Sequence, residues 1–425
     1  MNTLDNINYN LLYNKNFYGQ ALFRNHFSDK KLSFKIFDNA VIFPIKNTQA
    51  VCVLDQNLKY IENSCNDISA LQYLNNINIS EISNSNDNAI FLGRFIGVWG
   101  HFVTDDLRRL WFMKSKEFKD FYDFVPAYFN FQPNKNHLKF FEILNINHSK
   151  IRNISSPVRF KKVVIPDECF ITDYDTDAES NLKYLFTQDY LNLIDLIRSY
   201  ANKNKTNLLN HNFYFSYSKY KSGKAVGEYH LENYFKKHNY KIIYPENLSL
   251  DEQLNILANC DNFASTIGSC SHNMIFLNDN SNVILIPRAN YLTPHQLVID
   301  KLHNLKISYV DSSFSFLAAN RNPGEGPFLY FVSKNLKSLF NDNSNINVNF
   351  NDYKKYFRYA MGFNLGRRFG FNSGGGSYKT HNYYSGQIAS DYYGALLNSR
   401  FPLIKKFSNL ARNFVQKYFM KYIVK

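Results

Sequence analysis

Apolar positions along this chain switch repeatedly between a period of two and a period near 3.6, and the switching predicts an α/β fold. Residues 31 to 60 carry short apolar runs (LSFKIF, AVIFPI, AVCVL) separated by Asp-Asn and Lys-Asn, which read as strands joined by turns. The polar stretch NNINISEISNSNDN ends at the strand-like AIFLG. After it, GVWGHFVTDDLRRLWFM takes helical spacing through Phe102, Leu107, Leu110 and Trp111. VPAYFNF and FKKVVIP read as strands around a helical HLKFFEIL, and residues 179 to 201 form a long amphipathic pattern. The polar, turn-rich Lys203 to Asn212 then reads as a linker.

A second alternation follows. FYFSYS is strand-like, EYHLENYFKKH is helical with Leu231, Tyr234, Phe235 and His238 on one face, and YKIIYP is a strand closed by Pro245. Ser249 and Glu252 form an S-x-x-E capping box that starts the helix LDEQLNILANC. NFASTI runs into GSCS and a helix beginning near His272, followed by the strand VILIP, a helix capped at Thr293-Pro294 and the strand KISYV. Strands that alternate with helices in this way predict a parallel, doubly wound sheet, because parallel neighbours need crossover connections. The expected division is an N-terminal domain over 1–202, a second over 203–330, and an extension over 331–425 holding the glycine-rich GRRFGFNSGGGS and a basic helix.

Composition narrows the class. Of 425 residues 45% are hydrophobic and 17% aromatic, enough to build globular cores and to argue against global disorder. The chain shows neither a long apolar run nor a secretory signal, and its five scattered cysteines form no C-x-x-C pair, so a reducing cytoplasm is expected, without a disulfide framework or zinc site. A formal net charge of +14 points to an anionic partner. About half of that excess lies in Arg400, Lys405, Lys406, Arg412, Lys417, Lys421 and Lys425. With Leu403, Ile404, Phe407, Leu410, Phe414, Tyr418 and Tyr422 at three- or four-residue spacing, residues 400–425 predict an amphipathic helix. It would either lie on an anionic membrane face or pack back on the first domain.

Three segments could carry chemistry. In an open parallel sheet, ligands bind beyond the carboxyl ends of the strands, and Thr266 to Asn273 sits at such an end. Gly268 would allow close backbone approach, Ser269 and Ser271 offer hydroxyls, and His272 and Asn273 add side chains, so the segment reads as a diphosphate cradle or as a plain strand-to-helix turn. Lys219, Lys221 and Lys224 fall in a short loop ending in Gly227-Glu228, where they could neutralise a pyrophosphate or simply be solvated. In Trp99 to Asp106, His101 and Asp105 would stand one helical turn apart, so that a carboxylate could orient an imidazole or itself accept a proton. Equally, Asp105 and Asp106 could answer Arg108 and Arg109 structurally. Asp173-Tyr174-Asp175 is a weak D-x-D match in a polar, Asp-rich segment.

GHFVTDDLRRLW resembles the G-H-F-x-x-D-x-L-x-R-L segment of glycosyltransferase family 61, and FYFSYSKYKSGKAVGE, YPENLSLDEQLNILANCDNF and IGSCSHNMIFL resemble that family's later motifs in the same order. Gly100, His101, Phe102, Asp105, Leu107, Arg109 and Leu110 match the first pattern, and Ser218, Glu228, Gln253, Gly268, Asn273 and Phe276 the later ones. Lys219 and Lys224 stand where the family has arginines, Gly227 replaces an asparagine, and Ser271-His272 replaces a Gly-Ala type of pair. The resemblance implies a GT-B arrangement of two Rossmann-like domains facing a cleft, with the acceptor on the N-terminal domain and a nucleotide-diphosphate sugar on the C-terminal one. It further implies an inverting transfer to a glycan acceptor in bacterial capsule or surface polysaccharide synthesis, with no cofactor and no obligatory metal. On this reading Asp105, slightly favoured, or His101 is the base, and Arg109 lies on the acceptor side. Lys219, Lys224, Glu228, Gly268, Ser269, His272 and Asn273 would bind the donor. A basic nucleic-acid-binding protein and a non-catalytic sugar-binding member of the same fold are the competing readings. No nucleic-acid-binding signature is found, and the lysines are spread along the chain.

Overall fold

The computed structural model describes residues 6–12, 25–46, 48, 50–65, 68–129, 132–173, 183–219, 225–288, 294–314, 327–346, 349–368 and 409–417. It is a mixed α/β structure with several sheets. The chain divides into two compact units, one of Arg24–Lys205 with Ser249–Ala258, the other of Met1–Phe23, Thr206–Leu248 and Asn259–Lys425. No helix among the described residues is long and apolar enough to cross a membrane.

In the first of these units the strands β1 (Phe34–Asp38), β2 (Asn88–Arg94), β3 (Val125–Phe129) and β4 (Lys162–Pro166) build a five-stranded sheet with the short strand Arg152–Asn153. β4, β2, β3 and Arg152–Asn153 run parallel, and β1 closes one edge antiparallel to β4. Ala89, Phe91, Ala127, Val163 and Ile165 meet Ile42, Val51 and Val53 of a second small sheet in one buried cluster. A single helical turn, α1 (Trp99–Phe102), follows β2, and α2 (Lys135–Ile143) follows β3. The long amphipathic stretch expected over 179 to 201 is split. Lys183–Thr187 is a strand paired antiparallel with Phe170–Asp173, and α3 (Gln188–Asn204) starts only after Thr187. The apolar positions of KYLFT serve a ladder there, whereas those of α3 (Tyr190, Leu193, Ile194, Ile197, Ala201) recur at helical spacing and are buried. The Ser249–Glu252 capping box forms: the Glu252 carboxylate accepts from the Ser249 backbone N–H at 2.8 Å, and the Glu252 N–H donates to Ser249 Oγ at 3.3 Å. The helix it starts, Leu250–Ala258, packs on α2 and α3.

The second unit is built on β5 (Asn212–Phe215), α4 (Glu228–Lys237), β6 (Lys241–Ile243), β7 (Asn262–Thr266), β8 (Asn282–Ile286), α5 (Pro294–Leu302) and β9 (Lys306–Val310). Its six-stranded sheet has the order Ile7–Leu11, β9, β8, β7, β5, β6, and every pairing is parallel. The strand Ile7–Leu11 is a finding beyond the sequence reading. The order reverses between β5 and β7, which makes their carboxyl ends the topological switch point of the sheet. Near the C-terminus, Tyr353, Tyr356, Phe357 and Ala360 of α6 (Phe350–Arg368) bury one face against Val226, Phe314, Leu329 and Phe331. Of the basic tail, residues 409–417 are helical. Val415 is buried in that same cluster with Ala411 beside it, whereas Leu410 and Phe414 are 60% and 67% exposed. The glycine-rich stretch after Arg368 lies outside the described residues.

The turn after β7 is anchored from beneath by a buried hydrogen-bonded chain. Tyr309 donates to Asp300 at 2.5 Å, and the Gln296 amide donates to the other Asp300 oxygen at 3.0 Å. Gln296 Oε1 in turn accepts from Ser271 Oγ at 2.6 Å, and that oxygen accepts the Gly268 N–H at 3.0 Å. Burial pushes the Asp300 carboxyl up to about 7, against the bonds from Tyr309 and Gln296. The folded protein therefore holds this proton from about pH 4 to about pH 7 where the unfolded chain releases it, so stability falls as pH rises through that window and levels off above it. Asp300→Asn, which mimics the protonated carboxyl, is expected to flatten the pH dependence by on the order of 1 kcal/mol per pH unit between pH 4 and 7. Denaturant melts at several pH values check this, and an unchanged slope would contradict the assignment.

Candidate functional site

In the unit of Arg24–Lys205 the site candidate is the segment that follows β2. The helix expected to run from Gly100 is broken: α1 is one turn, Thr104 leaves helical geometry at φ −118° and ψ −99°, and Asp105–Leu107 forms a tighter 3₁₀ turn. Side-chain bonds to the backbone compete with the helix here. The Thr104 hydroxyl reaches the Gly100 carbonyl at 2.7 Å, and the buried Asp106 carboxylate accepts the Ile96 N–H at 2.7 Å. Phe102 pins the turn by packing into Phe95, His137, Phe140 and Phe141.

The break nevertheless brings His101 and Asp105 together. His101 Nδ1 lies 3.0 and 3.2 Å from the two Asp105 oxygens. The imidazole is 41% exposed and the carboxylate 10%, so the ring is the more accessible partner. Asp105 is held by Thr104 Oγ1 at 2.9 Å and by Arg108, whose Nε donates to the Asp105 carbonyl at 2.6 Å. Burial alone would lower the His101 pKa, but the charge and hydrogen bond of Asp105, with Asp106 adding, raise it above the ordinary imidazole value. Burial, reinforced by the Asp105 charge, pushes Asp106 up to about 7.

Arg109 is almost wholly buried. Its fork is committed to Glu168 at 2.6 Å and to the Asn63 carbonyl at 2.6 Å, with the guanidinium over the Phe91 ring. Arg108 also reaches Glu168, at 3.4 Å. Burial alone would raise the Glu168 pKa, yet these two arginines hold it below the usual carboxylate range. Glu168 was not singled out from the sequence, since a lone acid after VVIPD carries no signal until the fold sets it under two arginines.

In the other unit the described members of the predicted donor set lie around the carboxyl ends of β5 and β7. Gly268, at φ +143°, begins a turn in which the His272 N–H donates to the Gly268 carbonyl at 3.2 Å and the Asn273 amide donates to the Cys270 carbonyl at 3.1 Å. Ser269 is partly exposed, while His272 and Asn273 are buried. The helix expected near His272 is a six-residue 3₁₀ turn, Ser271–Phe276, because Ser271 ties back to Gly268 and the chain must soon re-enter the sheet at β8. Glu228 starts α4 behind Gly227, which adopts φ +79° and where a Cβ would come within 2.6 Å of the Tyr330 carbonyl. The Glu228 carboxyl is buried beneath the loop after β5 and accepts from the Tyr217 N–H at 3.0 Å and the Tyr214 hydroxyl at 3.1 Å. Burial pushes it up to about 7 despite the nearby Arg288 charge and these bonds. Lys219 is exposed with its ammonium 5.6 Å from the centre of the Tyr244 ring; Lys221 and Lys224 lie outside the described residues, as does Asp175 of the D-x-D match.

The sequence reading missed Arg288. It stands two residues beyond β8, buried, with its guanidinium 4.5 Å from the Tyr217 ring centroid and donating to Thr266 Oγ1 at 3.1 Å. The available signal was VILIPR, a cation immediately past the carboxyl end of a parallel strand.

Comparison with curated proteins gives no match. The model of the family described as Glycosyltransferase 61 matches residues 99–284, a stretch that starts at α1 with His101 and Asp105, includes the Gly268 turn and ends within β8. Over those residues the chain is similar to glycosyltransferase family 61.

Proposed function

We propose that this protein is an inverting glycosyltransferase that moves a sugar from a nucleotide-diphosphate donor to a hydroxyl of a glycan acceptor. The observation that carries the reading is the hydrogen-bonded His101–Asp105 pair inside the family-matched stretch, because attack on an anomeric carbon requires the acceptor hydroxyl to lose its proton as the bond forms. The geometry favours the more exposed His101 as base. Asp105 accepts from Nδ1–H, sets the tautomer and stabilises the imidazolium that forms, as carboxylates do in hydrolytic triads. Departure of the nucleotide diphosphate needs its growing charge stabilised. That task falls to the turn after β7, with Gly268, Ser269, His272 and Asn273, and to Lys219 and Lys224. The GT-B reading, with base and donor cradle on different Rossmann-like domains, is part of this proposal, as are a cytoplasmic location and a role in surface polysaccharide synthesis.

The reading is tested by incubating the protein with a panel of nucleotide sugars and following release of the nucleoside diphosphate; no turnover with any donor, with or without glycan acceptors, counts against it. A chelator added to the assay tests the metal independence that the family resemblance implies. His101→Ala and Asp105→Asn are each expected to lower kcat by about 10²- to 10⁴-fold while leaving donor affinity nearly unchanged. Because Asp105 raises the His101 pKa and the base must be neutral to act, wild-type kcat/KM should climb with pH through a value above the ordinary imidazole range. A residual Asp105→Asn activity should climb at lower pH. Identical pH profiles would deny the pair a shared role.

Attachment to an anionic membrane surface through residues 400–425 is a further part of the proposal. Its support is the exposed Leu410 and Phe414 on a helix whose Ala411 and Val415 are already packed. Replacing Leu410 and Phe414 together by Glu is expected to abolish sedimentation with anionic vesicles without lowering the melting temperature. Unchanged sedimentation would refute the attachment.

A further inference from the structure

Arg288 is more than nine-tenths buried, and its Nε has no hydrogen-bond partner among the described residues. The groups around it are almost all neutral: the Tyr217 ring, the Thr266 hydroxyl, the Tyr330 phenol and the Cys270 thiol. The Glu228 charge acts on it from nearby, but Glu228 Oε1 is bound by Tyr214 and Tyr217 rather than by Arg288, and Oε2 has no hydrogen-bond partner among the described residues. A buried guanidinium with no carboxylate in contact among the described residues is costly, and a bound anion would offset that cost.

The place is specific. Arg288 Nη1 and Cζ would lie 2.7 and 2.9 Å from a Cβ at position 268, so the missing side chain of Gly268 is what admits the guanidinium to the turn after β7. That turn belongs to the switch point of an all-parallel sheet, where ligands of such sheets bind. Ser271–Phe276 is too short a 3₁₀ turn to offer the field of a helix N-terminus, so positive charge at this turn has to come from a side chain. Arg288 also lies beyond the family-matched stretch, which stops at residue 284.

Resting on the donor-site reading above, we infer that Arg288 is the cation that receives the diphosphate of the nucleotide donor at the Gly268 turn. Its planar fork suits paired phosphate oxygens in a way that the exposed Lys219 does not.

The test compares the wild type with Arg288→Met and Arg288→Lys, using titration with a panel of nucleoside diphosphates, with the matching nucleosides and with inorganic pyrophosphate, beside ligand-free melting. Arg288→Met is expected to weaken binding of the preferred nucleoside diphosphate by about 10- to 100-fold and to abolish pyrophosphate binding, with nucleoside affinity unchanged. Arg288→Lys should fall between Met and wild type. Because removing an unpaired buried charge relieves a cost, Arg288→Met should melt at or above the wild-type temperature without ligand. The inference is overturned if both variants bind diphosphates as wild type does, if nucleoside binding falls in parallel, or if the ligand-free Met variant has lost its melting transition, which would mark a purely structural arginine. Failure of the wild-type protein to bind any diphosphate would instead remove the donor-site reading itself, and the inference with it.

Discussion

Parallel strands cannot be joined by tight hairpins. Each of the six in the Ile7–Leu11, β9, β8, β7, β5, β6 sheet has to be reached by a crossover, and every strand-to-crossover turn is thereby delivered to the same edge. Much of what this unit offers chemically follows from that constraint. Tyr217, Gly268 and Arg288 are far apart in sequence, yet each lies a few residues past the carboxyl end of its strand, beside the reversal of order between β5 and β7, the kind of place where such sheets take ligands. The buried chain from Asp300 through Gln296 to Ser271 then fixes the turn from below, so that the backbone at Gly268 is held by α5 and β9 as well as by its own loop.

Charge burial is handled differently in the two units. Glu168 meets two arginines, and Asp105 has His101, Arg108 and Thr104 about it; these groups hold one another in place, and the imidazole is left as the accessible member. In the proposed mechanism such a network would orient the base without exposing the groups that orient it. At the Gly268 turn the cation has no comparable partner among the described residues, and burial raises the neighbouring Glu228 to about 7, so that its charge is only partly present near neutral pH. The proposed donor site, which would have to bind an anion and release it, is better served by a cation in largely neutral surroundings than by one already paired.

The strands and crossovers from Asn212 to Val310 were legible because each apolar run is closed by turn residues and each helix carries its own period, as in the burial of Leu231, Tyr234 and Phe235 along α4. Ile7–Leu11 was not legible: INYNL alternates, but its partner is the segment Ile307 to Val310, and nothing local announces a pairing of that separation. Lys183–Thr187 was absorbed into a longer amphipathic pattern, since a five-residue strand next to a helix cannot be separated from it by periodicity alone. The His101–Asp105 contact was readable from its spacing, although the structure achieves it through a broken turn rather than the expected helix. The weight carried by Glu168 and Arg288 was not readable, because it comes from burial and from what stands opposite, which only the folded chain defines.

The most direct measurement is a crystal structure of the protein grown with its preferred nucleoside diphosphate. The account predicts phosphorus density beyond the carboxyl ends of β5 and β7, with phosphate oxygens within hydrogen-bond distance of the Gly268 turn and of the Arg288 guanidinium. Well-defined diphosphate density at any other position, with the Gly268 turn unoccupied, would contradict it.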